Sequence, residues 1–256
     1  MKIAVVLRQV PDLIEQLEIA GSGTALDWDE ARFLVNETDD HALEQALLLK
    51  ESGEASITVV ALDFGEVDNT LFTAAAKGVD QIIKIPVEGD GPPTPQTAAA
   101  MYAEVIKESG AELVLVGVSA HDELIGLLAP TLALELGLPY VGVIRGVRPA
   151  EAGAVKAFKE FPGAVLAKMN VRLPAVLGIL AADQPPRYVP VSRIRAAMKS
   201  TQFDEKEVAA ATVDAGVTVE RMYLPEVSQR AEMIEGSVEE VAGRILKILS
   251  EKGLGK

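Results

Sequence analysis

The chain alternates short unbroken apolar runs with longer stretches in which apolar residues recur every three or four positions. Residues 3–7 form the first run, closed by Arg8 with Pro11 just beyond. Such a run reads as a central parallel strand buried on both faces. Residues 21–28 read as a loop or weak hairpin. Asn36 or Thr38 can cap a helix to about Ser52, with Leu43, Ala46 and Leu47 inward and Gly53 as its stop. Residues 56–62 are the second strand, 68–77 a helix ended by Gly78, and 81–85 a third strand stopped by Pro86. Beyond a Gly/Pro-rich loop, Thr94 caps a helix with Pro95 in its first position, and Gly110 ends it. Residues 113–118 make a fourth strand that runs straight into a helix start at Ser119-Ala120-His121-Asp122. The helix itself is expected over 124–136, with Gly137 and Pro139 behind it.

The rhythm changes after Pro139. Residues 140–144, 155–161, 165–171 and 175–180 are short apolar runs split by Gly or Pro, so the sheet is expected to gain antiparallel members. Gln184-Pro185-Pro186-Arg187-Tyr188 is a stiff loop, and 192–199 a short basic helix. From 201 to 235 no period holds, which predicts an extended arm. Ser237 and Glu240 then form a capping box, and Val241, Ile245, Ile248 and Leu249 make an apolar stripe at helical spacing. That stripe must dock either on the chain's own core or on a partner subunit. The fold class expected is α/β: a Rossmann-like, largely parallel sheet flanked by helices, with added antiparallel strands. The nucleotide-binding-like domain covers 1–199, and a C-terminal arm ending in a helix covers 200–256.

Composition narrows the function classes. The 256 residues are 49% hydrophobic and 24% charged, enough for one large domain or a domain with an appendage. With 24 basic against 38 acidic residues, the net charge of -14 disfavours nucleic acid and anionic membranes. The absence of cysteine excludes disulfides, thiolate catalysis and Cys-ligated clusters. Lys2 and Arg8 bracket too few apolar residues for a signal peptide core. No run approaches the roughly 20 apolar residues of a membrane span. A cytoplasmic protein without membrane insertion is expected.

Catalytic motifs are missing. Gly21-Ser22-Gly23 opens like a dinucleotide fingerprint, but Leu26 stands at its third glycine. His41 beside Asp40 and His121 beside Asp122 are the only histidines, too few for a metal site. No catalytic residue is assigned. In open parallel sheets the ligand crevice lies beyond the carboxyl ends of strands, here Val6 to Arg8, Leu62 to Phe64 and Ser119 to Asp122. A helix N-terminus attracts anions there. Asp63, Asp122 and Glu123 would oppose a phosphate unless Arg8 or a metal compensates. The plain alternative is a crevice filled by protein side chains.

Several segments, in order, resemble the beta subunit of electron transfer flavoproteins. Val5-Val6-Leu7-Arg8-Gln9-Val10-Pro11-Asp12 is similar to that family's first strand and its Lys-Gln-Val-Pro-Asp loop. Asn36-Glu37-Thr38-Asp39-Asp40-His41-Ala42-Leu43-Glu44 resembles its Asn-Pro-x-Asp-x-x-Ala-Leu-Glu helix. Ala74-Ala75-Ala76-Lys77-Gly78-Val79-Asp80 resembles its Ala-Leu-Ala-Met-Gly-Ala-Asp turn. Pro174-Ala175-Val176, Pro186-Arg187-Tyr188 and residues 194–199 are similar to its closing strand and recognition loop.

The resemblance implies a heterodimer with an alpha subunit that holds FAD against this chain. Electrons from acyl-CoA or related dehydrogenases, as in fatty acid oxidation, pass through that FAD. The beta crevice of the family holds AMP, or a second FAD in bifurcating members. By carry-over its contacts fall on Val6, Arg8, Asn36, Glu37, Thr38, Asp39, Leu62, Asp122, Glu123, Leu124, Ile125, Gly126 and Leu127. Tyr188, Val191 and Ile194 would touch the redox partner, and the C-terminal arm would embrace the alpha subunit. The family's Thr and Gln positions after Asp122 are apolar here. Its Gly-Pro after the second strand is Asp63-Phe64, its Pro after Asn36 is Glu37, and a helix Arg is Phe72. These departures stand against AMP and more strongly against a second FAD. The reading from another class is a nucleotide-binding regulatory α/β protein related by fold only. A third, an enzyme acting on a nucleotide, lacks catalytic groups.

Overall fold

The computed structural model describes residues 1–89, 91–123, 125–151, 153–209, 218–224, 231 and 233–254. By contacts it divides into two compact units, Met1–Met222 and Tyr223–Lys256.

The first unit is built on a nine-stranded sheet among the described residues. Its strands are β1 (Lys2–Leu7), β4 (Ser56–Asp63), β5 (Gln81–Pro86), β6 (Leu113–Gly117), β7 (Tyr140–Pro149), β8 (Ala154–Phe161), β9 (Val165–Arg172), β10 (Ala175–Ala181) and β11 (Asp204–Glu205). Their order is β11-β5-β4-β1-β6-β10-β7-β8-β9. From β11 to β7 every pairing is parallel. The β7–β8 and β8–β9 pairings are antiparallel. The expected antiparallel members are therefore present. β10, however, does not continue that meander; it returns to lie parallel between β6 and β7.

The apolar run of β1 explains its central place. Ile3, Val5 and Leu7 enter one core with helices α1 (Glu37–Ser52) and α2 (Val67–Lys77). Ala4 and Val6 enter the opposite core with α3 (Pro95–Ser109) and α4 (Leu128–Leu136). A period of two in a strand that is apolar at every position needs cover on both faces. Thr94 caps α3 by accepting from the Thr97 amide at 3.2 Å, with Pro95 in the first turn, as the sequence predicts. The predicted weak hairpin appears as a single Ile19–Leu26 bridge.

Two short strands were not anticipated: β2 (Gln9–Pro11) pairs antiparallel with β3 (Phe33–Val35). Three residues carry too little periodicity to stand out. The basic helix forms as α5 (Val191–Ser200). Of the expected arm over 201–235, residues 201–209, 218–224, 231 and 233–235 are described; β11 pairs there with β5, and 210–217, 225–230 and 232 lie outside the described residues.

The second unit contains α6 (Val238–Glu251), with the expected capping box between Ser237 and Glu240. None of its residues is buried, and Ile245, Leu246, Ile248 and Leu249 are exposed. Among the described residues no helix is long and apolar enough to cross a membrane.

Candidate functional site

The chain runs from β1 outward to β4 and β5, then jumps to β6 on the other side of β1. The carboxyl ends of β1 and β6 thus border the switch point where a doubly wound sheet opens its crevice. Arg8, the first residue past β1, lies across that point. Its Nε donates to Asp39 Oδ2 at 2.7 Å and its Nη2 to Asp39 Oδ1 at 3.0 Å. Its Nη1 donates to Glu123 Oε1 at 2.7 Å. Nη2 also reaches the carbonyls of Gly117 and Ser119, at 3.1 and 3.3 Å.

Asp39 sits in the first turn of α1 and is fully buried. It also accepts from the Arg8 amide at 3.1 Å and the Gly117 amide at 2.7 Å. Burial alone would lower the Arg8 pKa, but attraction and hydrogen bonding from Asp39, then Glu123, raise it and hold the guanidinium charged. Burial pushes the Glu123 carboxyl up, against the opposing pull of Arg8. Glu123 Oε2 is buried with no hydrogen-bond partner. Tyr102, fully buried on α3, lies in the same electrostatic neighbourhood, and burial raises its hydroxyl pKa.

The segment after β6 differs from the expectation. The helix does not start at 124: α4 begins at Leu128, and residues 118–127 form an irregular loop, with Leu124 itself outside the described residues. Competing partners explain the delay. Thr38 Oγ1 and Asn36 Nδ2 both donate to the Ser119 carbonyl, at 2.7 and 2.9 Å. His121 Nε2 bonds the Pro11 carbonyl at 2.7 Å. Gly126 packs so closely that a Cβ would fall 2.7 Å from the Val118 carbonyl oxygen. Leu127, at the N-cap, offers no side-chain acceptor. Asp122 and Ile125 are exposed. Asn36 occupies the N-cap of α1 without a side-chain capping bond, because its amide is turned to Ser119. Glu37 is exposed, and Val6 is fully buried in the core.

At the end of β4, Leu62 is half-buried and Lys84 holds Asp63 at 3.1 Å and Asp68 at 3.2 Å. Phe64 meets Phe33 and Trp28 edge-on, with centroids 5.1 and 5.6 Å apart. Gly65 lies beneath the Phe33 ring, where a Cβ would be 2.7 Å from Cγ. Sequence reading missed this cluster; three aromatics in a chain with 4% aromatic content were the available signal.

A second candidate surface lies past β10. Arg187 places Nε and Nη2 on Glu44 at 2.8–3.0 Å and Nη1 on Glu51 at 2.6 Å. The Arg187 amide also donates to Glu44 Oε2 at 3.0 Å. His41 Nδ1 accepts from the Ala182 amide, and Gln45 bridges the Asp183 amide and the Val147 carbonyl. One face of α1 therefore pins residues 182–187. Glu44 and Gln45 are polar yet buried, and each is bonded to that segment. The pinned loop leaves Tyr188 84% exposed and Val191 56% exposed. Ile194 instead packs with Ala75 beside Ala76, Val189 and Ala197.

The fold and these two surfaces define a doubly wound α/β protein with a bridged switch-point crevice and a preset surface loop, and comparisons with known proteins agree on its family. The electron transfer flavoprotein domain matches residues 27–221. The chain is similar to the electron transfer flavoprotein subunit beta of Methylophilus methylotrophus, 30% identical with 98% of each chain covered. It is also similar to the subunits beta of Clostridium acetobutylicum, 27% identical over 98% and 99% of the chains, and Bacillus subtilis, 26% over 97% of each. The chain belongs to the electron transfer flavoprotein beta subunit family.

Two variants probe the crevice. Asp39→Ala strands a buried guanidinium, and urea unfolding should show a loss of about 3–5 kcal/mol. Glu123→Gln should do the opposite at neutral pH. The folded-state pKa of Glu123 lies above its ordinary 4.5. Its contribution is therefore complete below that value and is lost as pH rises through the folded value. Glutamine should raise Tm near pH 7, by about 2–4 °C per kcal/mol for a chain of this size, and the gain should vanish by about pH 4. Thermal melts across pH read this directly.

Proposed function

We propose that this chain is the beta-type subunit of an electron transfer flavoprotein that assembles with an alpha-type subunit, and that the two together hold FAD. The flavin takes electrons from an acyl-CoA-type dehydrogenase. The FAD supplies the redox chemistry; this chain supports its binding partner and presents a docking surface. The observation that carries the reading is α6. A capped helix with five exposed large apolar residues and none buried needs a partner surface. The loop pinned by Arg187 supports donor docking, since Tyr188 and Val191 are exposed on a segment that pays little ordering entropy on contact. Among the described residues, no group of three or more His, Asp or Glu is arranged to hold a metal ion. Family membership sets aside a regulatory protein related by fold only.

Co-expression with an alpha-type subunit tests the assembly. The purified complex should carry about one flavin per heterodimer, read from its absorbance spectrum. Failure to form a complex, with no flavin, would sink the proposal. Val191→Asp should slow flavin reduction by the dehydrogenase about tenfold or more while flavin content stays constant. An unchanged rate in stopped-flow mixing would remove the loop from the docking surface.

A further inference from the structure

Nucleotide phosphates are held by free amides or by cations with donors to spare. Among the described residues, the floor of the switch-point crevice offers no cation with donors to spare, and its Gly117 amide is taken. Arg8 is its cation, and its guanidinium already serves Asp39, Glu123, Gly117 and Ser119. The Gly117 amide is taken by Asp39, and a Cβ at Gly117 would fall 2.3 Å from both Asp39 Oδ1 and Thr38 Oγ1. An incoming phosphate would meet two carboxylates as like charges. Arg8 and the Gly117 amide, the donors at the floor of the crevice, are not free for the phosphate of AMP.

Glu123 has the posture of a ligand. It comes from an irregular loop rather than a helix, binds Arg8 through one oxygen and leaves the other buried and unpartnered. An arginine suits this arrangement: its planar fork gives Asp39 two nitrogens and Glu123 the third. The neighbouring strand end is closed as well, by Phe64 against Phe33 and Trp28.

We propose that the crevice is liganded by the chain itself. Glu123 takes on Arg8 the place of an anionic ligand, so the assembled protein carries neither AMP nor a second flavin. This rests on the heterodimer reading only for the form in which nucleotide content is assayed.

Nucleotides are released by heat from the heterodimer and quantified, and the full chain alone is melted with and without millimolar inorganic phosphate, with chloride balancing ionic strength. Flavin content and complex formation report on the heterodimer; adenylate content reports on the crevice. One FAD with no AMP is expected. AMP or a second FAD near one per heterodimer would overturn the proposal. In the melts, phosphate should leave the wild-type chain unmoved and raise the Tm of Glu123→Ala by about 2–4 °C. Equal shifts in both, or none in a folded Glu123→Ala, would overturn Glu123 as the stand-in. If that variant does not fold, nucleotide content of the wild-type complex decides. If no heterodimer forms, the wild-type chain must still show no phosphate shift, and a shift would overturn the proposal.

Discussion

The Arg8–Asp39 pair is the contact on which the crevice end of the sheet depends. Asp39 has no exposure, and an isolated carboxylate there would carry a desolvation cost of several kcal/mol. It is retained because every near acceptor direction is met: Nε, Nη2 and the amide of Arg8, and the amide of Gly117. Those four donors come from the ends of β1 and β6, and the acceptor from the first turn of α1. One side chain therefore joins three elements that the chain brings together from positions 8, 39 and 117. The negative charge also lies at the N-terminal end of α1, where the helix dipole favours it.

α1 serves two surfaces at once. Its N-terminal turn closes the crevice, while His41, Glu44, Gln45 and Glu51 hold the segment from Ala182 to Arg187. Its apolar positions Ala42, Leu43, Ala46, Leu47 and Leu49 stay in the core. The helix is consequently polar on a face that is also buried, and its amphipathicity is weaker than its burial suggests. Polar atoms can be buried in number here because each is bonded. The loop that presents Tyr188 is positioned by the same helix that positions Arg8, so the geometry of both rests on one rigid element.

Local signals in the sequence carried much of the fold. Apolar runs placed β1, β4, β5 and β6; Thr94-Pro95 and Gly110 bounded α3; Ser237 and Glu240 announced the capping box. Each of these depends on neighbours within a few positions. What stayed hidden depends on distant partners. The start of α4 was misplaced because Ser119 and His121 bond Thr38, Asn36 and Pro11 rather than the next turn. The parallel return of β10 between β6 and β7 is a choice of neighbour that apolar alternation does not encode. In the crevice, Arg8, Asp39 and Glu123 could each be named from the sequence, but not that they would bond one another.

Two of the positions that depart from the family pattern share a physical feature. Phe72, where the family has an arginine, meets Phe203 at a 40° tilt with 4.7 Å between centroids. Phe64, in the place of a Gly-Pro turn, is held by Trp28 and Phe33. A large apolar ring at such a position costs stability unless something packs on it, and both side chains have found that partner within the chain. Packing of that kind leaves the sheet itself undisturbed: the strand core is bonded by its own ladder, and only the strand ends need such partners.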